Sequence, residues 1–103
     1  MSAANALRGE AELPIGARSL VLRPSFAALV AAEEELGPLF ALVERAAYGR
    51  LGLGELTALF WHCIRDRDET LTREAVGEAL VEQGLAAVTP ALRVLLGQIL
   101  QGR

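Results

Sequence analysis

The first apolar pattern along the chain alternates with polar residues, as is typical of a β-hairpin. The stretch AELPIGARSLVL carries this alternation on both sides of Gly16 and Ala17. Glycine in the first central position favours a two-residue type II′ turn, because that position needs a positive φ. The turn and the alternation agree on one register, which gathers apolar residues on one face. We therefore predict a β-hairpin over residues 7–23, with the pairs Ala11–Leu22, Leu13–Leu20, Pro14–Ser19 and Ile15–Arg18.

After the hairpin, apolar residues recur at helical spacing and capping residues mark the ends of the helices. Ser25 and Thr72 are favourable N-caps for the first and fourth helices, and Gly37 and Gly84 are natural C-terminal stops. We expect the second helix between Pro38 and Gly49, the third from Gly54 to Asp66, and the fifth to begin at Thr89 and Pro90. In the first helix we expect Phe26, Leu29, Val30 and Leu36 to face inward.

The order of these elements defines the expected fold class. We predict an α+β fold that is mostly helical, with an N-terminal β-hairpin followed by about five α-helices over residues 25–102. A chain of 103 residues has room for one hydrophobic core, so we expect a single domain over residues 1–103.

Composition adds the expectation of a partner surface. Apolar residues make up 52% of this short chain, so some should stay exposed in a monomer and form an oligomer or partner contact. The net charge is −3 and the ten basic residues, all arginine, are scattered, which argues against a nucleic-acid partner. We also expect no membrane partner, and the single cysteine fits a reducing, cytoplasmic location.

The chemically most interesting stretch is LFWHCIRD, which contains His62 and Cys63 side by side. Neighbours on a helix point about 100° apart, so these two side chains should diverge rather than form a nucleophile and its base. We expect a buried Cys63 and a surface His62 paired with Asp66, and we expect the acidic run at 33–35 to form a solvated face. The sequence therefore predicts no enzyme, no metal site and no cofactor.

The surplus of apolar residues on the third and fifth helices has two explanations of about equal weight. It can form a fully buried central helix in a crowded core, or a stripe that binds a helix of another protein. For the second explanation we predict partner contacts through Phe60, Trp61, Leu95 and Ile99.

Several stretches together resemble a known family. LRPSFAALVAAEEELG at residues 22–37, followed by ELTALFWHCIR and PALRVLL, is similar to gene transfer agent and phage tail assembly proteins. The resemblance covers nearly the whole chain and implies a role in building a phage-like tail in alphaproteobacteria. Family members are described as tail assembly chaperones or as tail tube proteins, and no catalytic residues are implied.

The resemblance leaves two functions to separate. We favour a chaperone that binds the tape measure protein in the cytoplasm and passes it to tail tube subunits. The alternative is a structural tube or adaptor component that remains in the phage-like particle. We favour the first because one hairpin and about five helices supply few strands for a tube built as a β-sandwich or barrel.

Overall fold

The computed structural model describes residues 9–102 and confirms the predicted fold class. Two strands form an antiparallel hairpin, and five helices follow along the chain. The strands are β1 (Ala11–Ile15) and β2 (Arg18–Leu22). The helices are α1 (Phe26–Leu36), α2 (Leu39–Ala47), α3 (Leu53–Cys63), α4 (Arg73–Gln83) and α5 (Leu85–Gln101).

The hairpin has the predicted register. All four predicted pairs are present, including Leu13 opposite Leu20. Gly16 has a φ of 59°, whereas Ala17 does not have a positive φ, as a type II′ turn requires. Leu13 and Leu22 are fully buried, so the apolar face of the hairpin packs against the helices. Turn chemistry and side-chain alternation therefore determined this element locally.

Capping also placed several helix ends correctly. The Ser25 hydroxyl accepts a hydrogen bond from the Ala28 N–H, and the Thr72 hydroxyl accepts one from the Ala75 N–H. α1 stops at Gly37. These bonds satisfy backbone donors that have no partner within the helix, which is why hydroxyl residues favour these positions.

The third helix is shorter than predicted. It ends at Cys63 rather than Asp66, and Ile64 forms an isolated antiparallel bridge with Leu22. The Arg65 N–H donates to the Val21 carbonyl at 2.8 Å, which holds the chain extended beside β2. Backbone hydrogen bonds to β2 thus replace the last predicted turn of α3. These bonds join residues far apart in the sequence, so the spacing of apolar residues along the helix cannot predict them.

The fifth helix is longer than predicted, because it begins at Leu85 and not at Thr89 and Pro90. Pro90 therefore lies inside the helix, where it cannot donate a backbone hydrogen bond to Ala86. Both residues are exposed, so water can reach the carbonyl. The Thr89 hydroxyl donates to the Leu85 carbonyl at 2.9 Å, one turn earlier in the helix.

The orientation of α1 corrects a third expectation. Phe26 is 86% exposed and Val30 is 37% exposed, although both were predicted to face inward. The buried residue of this helix is Ala32, with Leu29 and Leu36 partly buried beside it. An alanine on the inner face lets the backbones of α1 and α3 approach closely, and this leaves the phenylalanine on the opposite face.

The core forms around α3, whose residues 56–60 are all buried. The hairpin is tied to α4 by Gln83, whose Nε2 donates to the Pro14 carbonyl at 2.6 Å. The largest fully buried side chains come from the hairpin and from helices α2 to α5: Phe60, Leu13, Leu22, Leu42, Leu59, Leu80, Leu95, Val76, Val88 and Cys63.

Candidate protein-binding surface

The His62–Cys63 pair does not form a nucleophilic site. Cys63 is buried, and burial raises the pKa of its thiol to about 12, so the reactive thiolate is disfavoured. The Nε2 atom of His62 lies 2.8 Å from Glu35 Oε1 on α1, and not beside Asp66 as predicted. The sequence pointed to the nearest acid on the same helix, whereas packing brings in an acid 27 positions away.

Glu35 connects three helices through its two carboxylate oxygens. Oε1 contacts His62 of α3, and Oε2 accepts a hydrogen bond of 2.6 Å from Arg73 of α4. The hydrogen bonds from Arg73 and His62 lower the pKa of Glu35 to about 2. A carboxylate this acidic stays charged near neutral pH, so its ion pairs hold α1 against α3 and α4. Part of the acidic run is therefore structural rather than a plain solvated face.

A second ion-pair cluster holds the hairpin to the end of α3. The Glu10 side chain is 1% exposed and lies 3.6 Å from Arg23 and 3.3 Å from Arg65. A buried carboxylate is tolerated when cations and hydrogen bonds compensate its lost hydration. Across residues 9–102 no group of three or more His, Cys, Asp or Glu side chains could hold a metal ion.

The four residues predicted to contact a partner divide into two classes. Phe60 and Leu95 are fully buried, so in this fold they belong to the core and offer no contact surface. Trp61 and Ile99 are partly exposed, and the Arg67 guanidinium lies 4.5 Å from the centre of the Trp61 ring. Partner contact through Trp61 and Ile99 stays a prediction.

The structure adds a concave apolar surface between α3 and α4, which we call the α3/α4 groove. It has a volume of about 1000 Å³ and opens to solvent between Leu53, 42% exposed, and Val81, 61% exposed. Its lining includes the small residues Gly54, Thr57 and Gly77. A Cβ placed on Gly54 would meet nothing within 4 Å, so this part of the lining is open.

One border of the α3/α4 groove is acidic. Glu74, Glu78 and Glu82 follow one another at every fourth position of α4, so they lie in one row along the helix, and all three are exposed. The cation in the lining, Arg73, already binds Glu35. The site that residues 9–102 present is thus an apolar groove with an acidic border.

Sequence reasoning missed this groove, although α4 contains a signal for it. Val76 and Leu80 form the buried row of the helix, and Val81 is displaced from that row by about 100°. An apolar residue off the buried row should be exposed. Other exposed apolar side chains that were not anticipated are Phe26, Phe40, Tyr48, Leu85 and Val94, whereas the exposed Leu100 belongs to the apolar surplus expected on the fifth helix.

No helix within residues 9–102 is long and apolar enough by itself to cross a membrane. α4 and α5 meet that criterion only as a pair, and the chain bends by 119° between them.

Fold and surface together define a small helical protein with a hairpin and exposed apolar surface suited to protein contacts. Residues 8–102 match the family described as phage tail tube protein, GTA-gp10, and the chain belongs to this family. A comparison with curated proteins found no match. A comparison with solved structures found none either. The resemblance to gene transfer agent tail proteins is thereby confirmed, and a tail tube family is structural rather than enzymatic.

Proposed function

We propose that this chain is a structural component of a phage-like tail, that it stays in the finished particle, and that it contacts tail tube subunits there. The observation that carries the proposal is the match of residues 8–102 to a tail tube family. The match favours a structural tail component over the assembly chaperone that the sequence pattern had favoured. Exposed apolar surface supports it, because side chains such as Val81 become fully buried only in a protein–protein contact.

A second candidate is the tail assembly chaperone that binds the tape measure protein. It is favoured by one observation, namely that the described residues contain a single two-stranded sheet. A tube ring closed through β-sheet needs more strands from each subunit than the two of this hairpin. The α3/α4 groove could instead hold amphipathic segments of a long helical client while the tail is built.

The composition of purified particles separates the two candidates. Cells carrying the tail gene cluster are lysed, particles are purified, and the amount of this chain is measured by mass spectrometry relative to the major tube subunit. A fixed ratio across preparations supports the structural role. Absence from particles, together with a complex with the tape measure protein in the lysate, supports the chaperone. A variant with a blocked groove, Gly54→Leu, tests whether either association uses this surface.

A further inference from the structure

We infer that the α3/α4 groove of one chain binds the outer face of α5 of a second copy. The inference deepens the proposed function and takes its biological meaning from it, because it names the surfaces by which copies of a tail component would join. Self-association itself is measurable with the purified chain alone.

The groove has suitable dimensions for a helix. The α4 side of its lining runs from Arg73 to Glu82, which at 1.5 Å per residue is about 14 Å, the length of roughly two turns of a partner helix. The glycines of its lining, Gly54 and Gly77, carry no side chains that would hold a helix away. Leu53 and Val81 supply apolar contacts at the sides.

The border of the groove selects a partner by charge. Its three glutamates are four residues apart along α4, and like charges at this spacing repel one another. A cation on the partner would relieve the repulsion, whereas an acidic partner would increase it. The groove therefore fits an apolar helix face that carries positive charge and no negative charge.

α5 of this same chain has such a face. Its 17 residues include no aspartate or glutamate, and Arg93 is its one charged residue. Arg93 is exposed and makes no ion pair with any described residue. Val94, 41% exposed, and Leu100, 53% exposed, lie on either side of it, with Gly97 between them. Arg93 and Leu100 lie opposite the buried row formed by Val88, Ala91 and Leu95, and Val94 lies at the flank of that row.

The two surfaces lie on different parts of the chain, which determines the type of assembly. The groove is formed by α3 and α4, while the outer face belongs to α5. No residue therefore contacts its own counterpart in the second copy. Such a heterologous contact generates a closed ring or an open filament rather than a two-fold dimer. A two-turn contact is small, so we expect weak association that strengthens with protein concentration and weakens with salt.

The test is sedimentation velocity of the purified full chain over a concentration series. We expect the wild-type average mass to rise with concentration, and we expect Glu78→Arg and Arg93→Glu each to weaken association about tenfold or more. The double variant that combines both changes should recover most of the loss, because it restores opposite charges. Glu44→Arg is the matched control, since Glu44 is an exposed glutamate on α2, outside both surfaces. Its mass should follow the wild type.

A mixing experiment tests the heterologous geometry. Gly54→Leu fills the groove but keeps the α5 face, and a Cβ at this position has no neighbour within 4 Å. Arg93→Glu keeps the groove but alters the α5 face. At a concentration where the wild type just associates, each variant alone should be largely monomeric, and their mixture should form dimers and nothing larger. Circular dichroism checks that both variants are folded.

Three results would overturn the inference: a wild-type chain that stays monomeric at every concentration, single variants that associate like the wild type, or a charge-swapped double variant that recovers nothing. Each leaves the particle-composition experiment untouched. Conversely, self-association as expected, combined with absence of the chain from purified tails, would refute the structural role but support the contact between the groove and α5.

Discussion

Replacing Gly84 by alanine tests how α4 and α5 are joined. Gly84 is the single residue between the two helices, and its φ of 88° and ψ of 146° lie near a region that only glycine adopts readily. A Cβ at this position would meet nothing within 4 Å. Any loss of stability must therefore come from the backbone conformation rather than from a steric clash.

The expected magnitude follows from that conformation. Holding a non-glycine residue in such a region costs about 1–3 kcal/mol, which in a chain of this size lowers Tm by about 4 °C per kcal/mol. Gly97→Ala is the matched control, because Gly97 lies within α5 and its Cβ would also have no neighbour within 4 Å. Alanine is a better helix former than glycine, so this variant should gain about 0.5–1 kcal/mol.

Urea unfolding followed by circular dichroism measures both variants, at low protein concentration so that self-association does not contribute. Both substitutions restrict the unfolded chain in the same way, so that effect cancels when they are compared. The two free energies of unfolding should therefore differ by about 1–3 kcal/mol, the cost of the Gly84 backbone conformation alone. A Gly84→Ala variant as stable as Gly97→Ala would refute the argument that backbone conformation at this junction requires glycine.

Three further predictions test the core, a helix cap and the interhelical ion pair. Leu80→Ala should lower the free energy of unfolding by about 2–5 kcal/mol, because Leu80 is fully buried; a loss below this range in urea unfolding would mean that the site is loosely packed. Ser25→Ala should cost about 1 kcal/mol, since the Ala28 N–H loses its acceptor, and Ser25→Asp should restore most of this. Arg73 helps to hold the pKa of Glu35 at about 2, below its ordinary value of 4.5. The ion pair therefore stabilises the fold fully above pH 4.5 and loses this effect as the pH falls towards 2. Wild-type stability should fall more steeply in that window than that of Glu35→Gln, and parallel pH curves would contradict the assignment.

The hairpin and several helix starts were predictable because the interactions that form them join residues close together in the sequence. Gly16 allows the turn, and the period of two then sets the register of the hairpin. Ser25 and Thr72 satisfy backbone donors three residues away, so the helix starts that they mark needed no tertiary information. The divergence of His62 and Cys63 also follows from helical geometry alone.

The candidate site was less predictable, because exposure depends on which face each helix turns inward. Phe60 and Leu95 looked suitable as partner anchors, yet both are buried in the core. Phe26 looked suitable for the core, yet it is exposed on α1. An apolar residue gives the same helical spacing whether it lies in the core or on a contact surface, so the sequence could not distinguish the two locations.

By itself, the sequence determined the fold class, the hairpin register and several helix caps, since these depend on interactions within a few residues. Only the tertiary structure decided the pairing of Glu35 with His62 and Arg73, the early end of α3 beside β2, and the groove between α3 and α4. Each of these joins residues from different elements. Their proximity comes from close packing of whole helices, which is a property of the assembled core and not of any one segment.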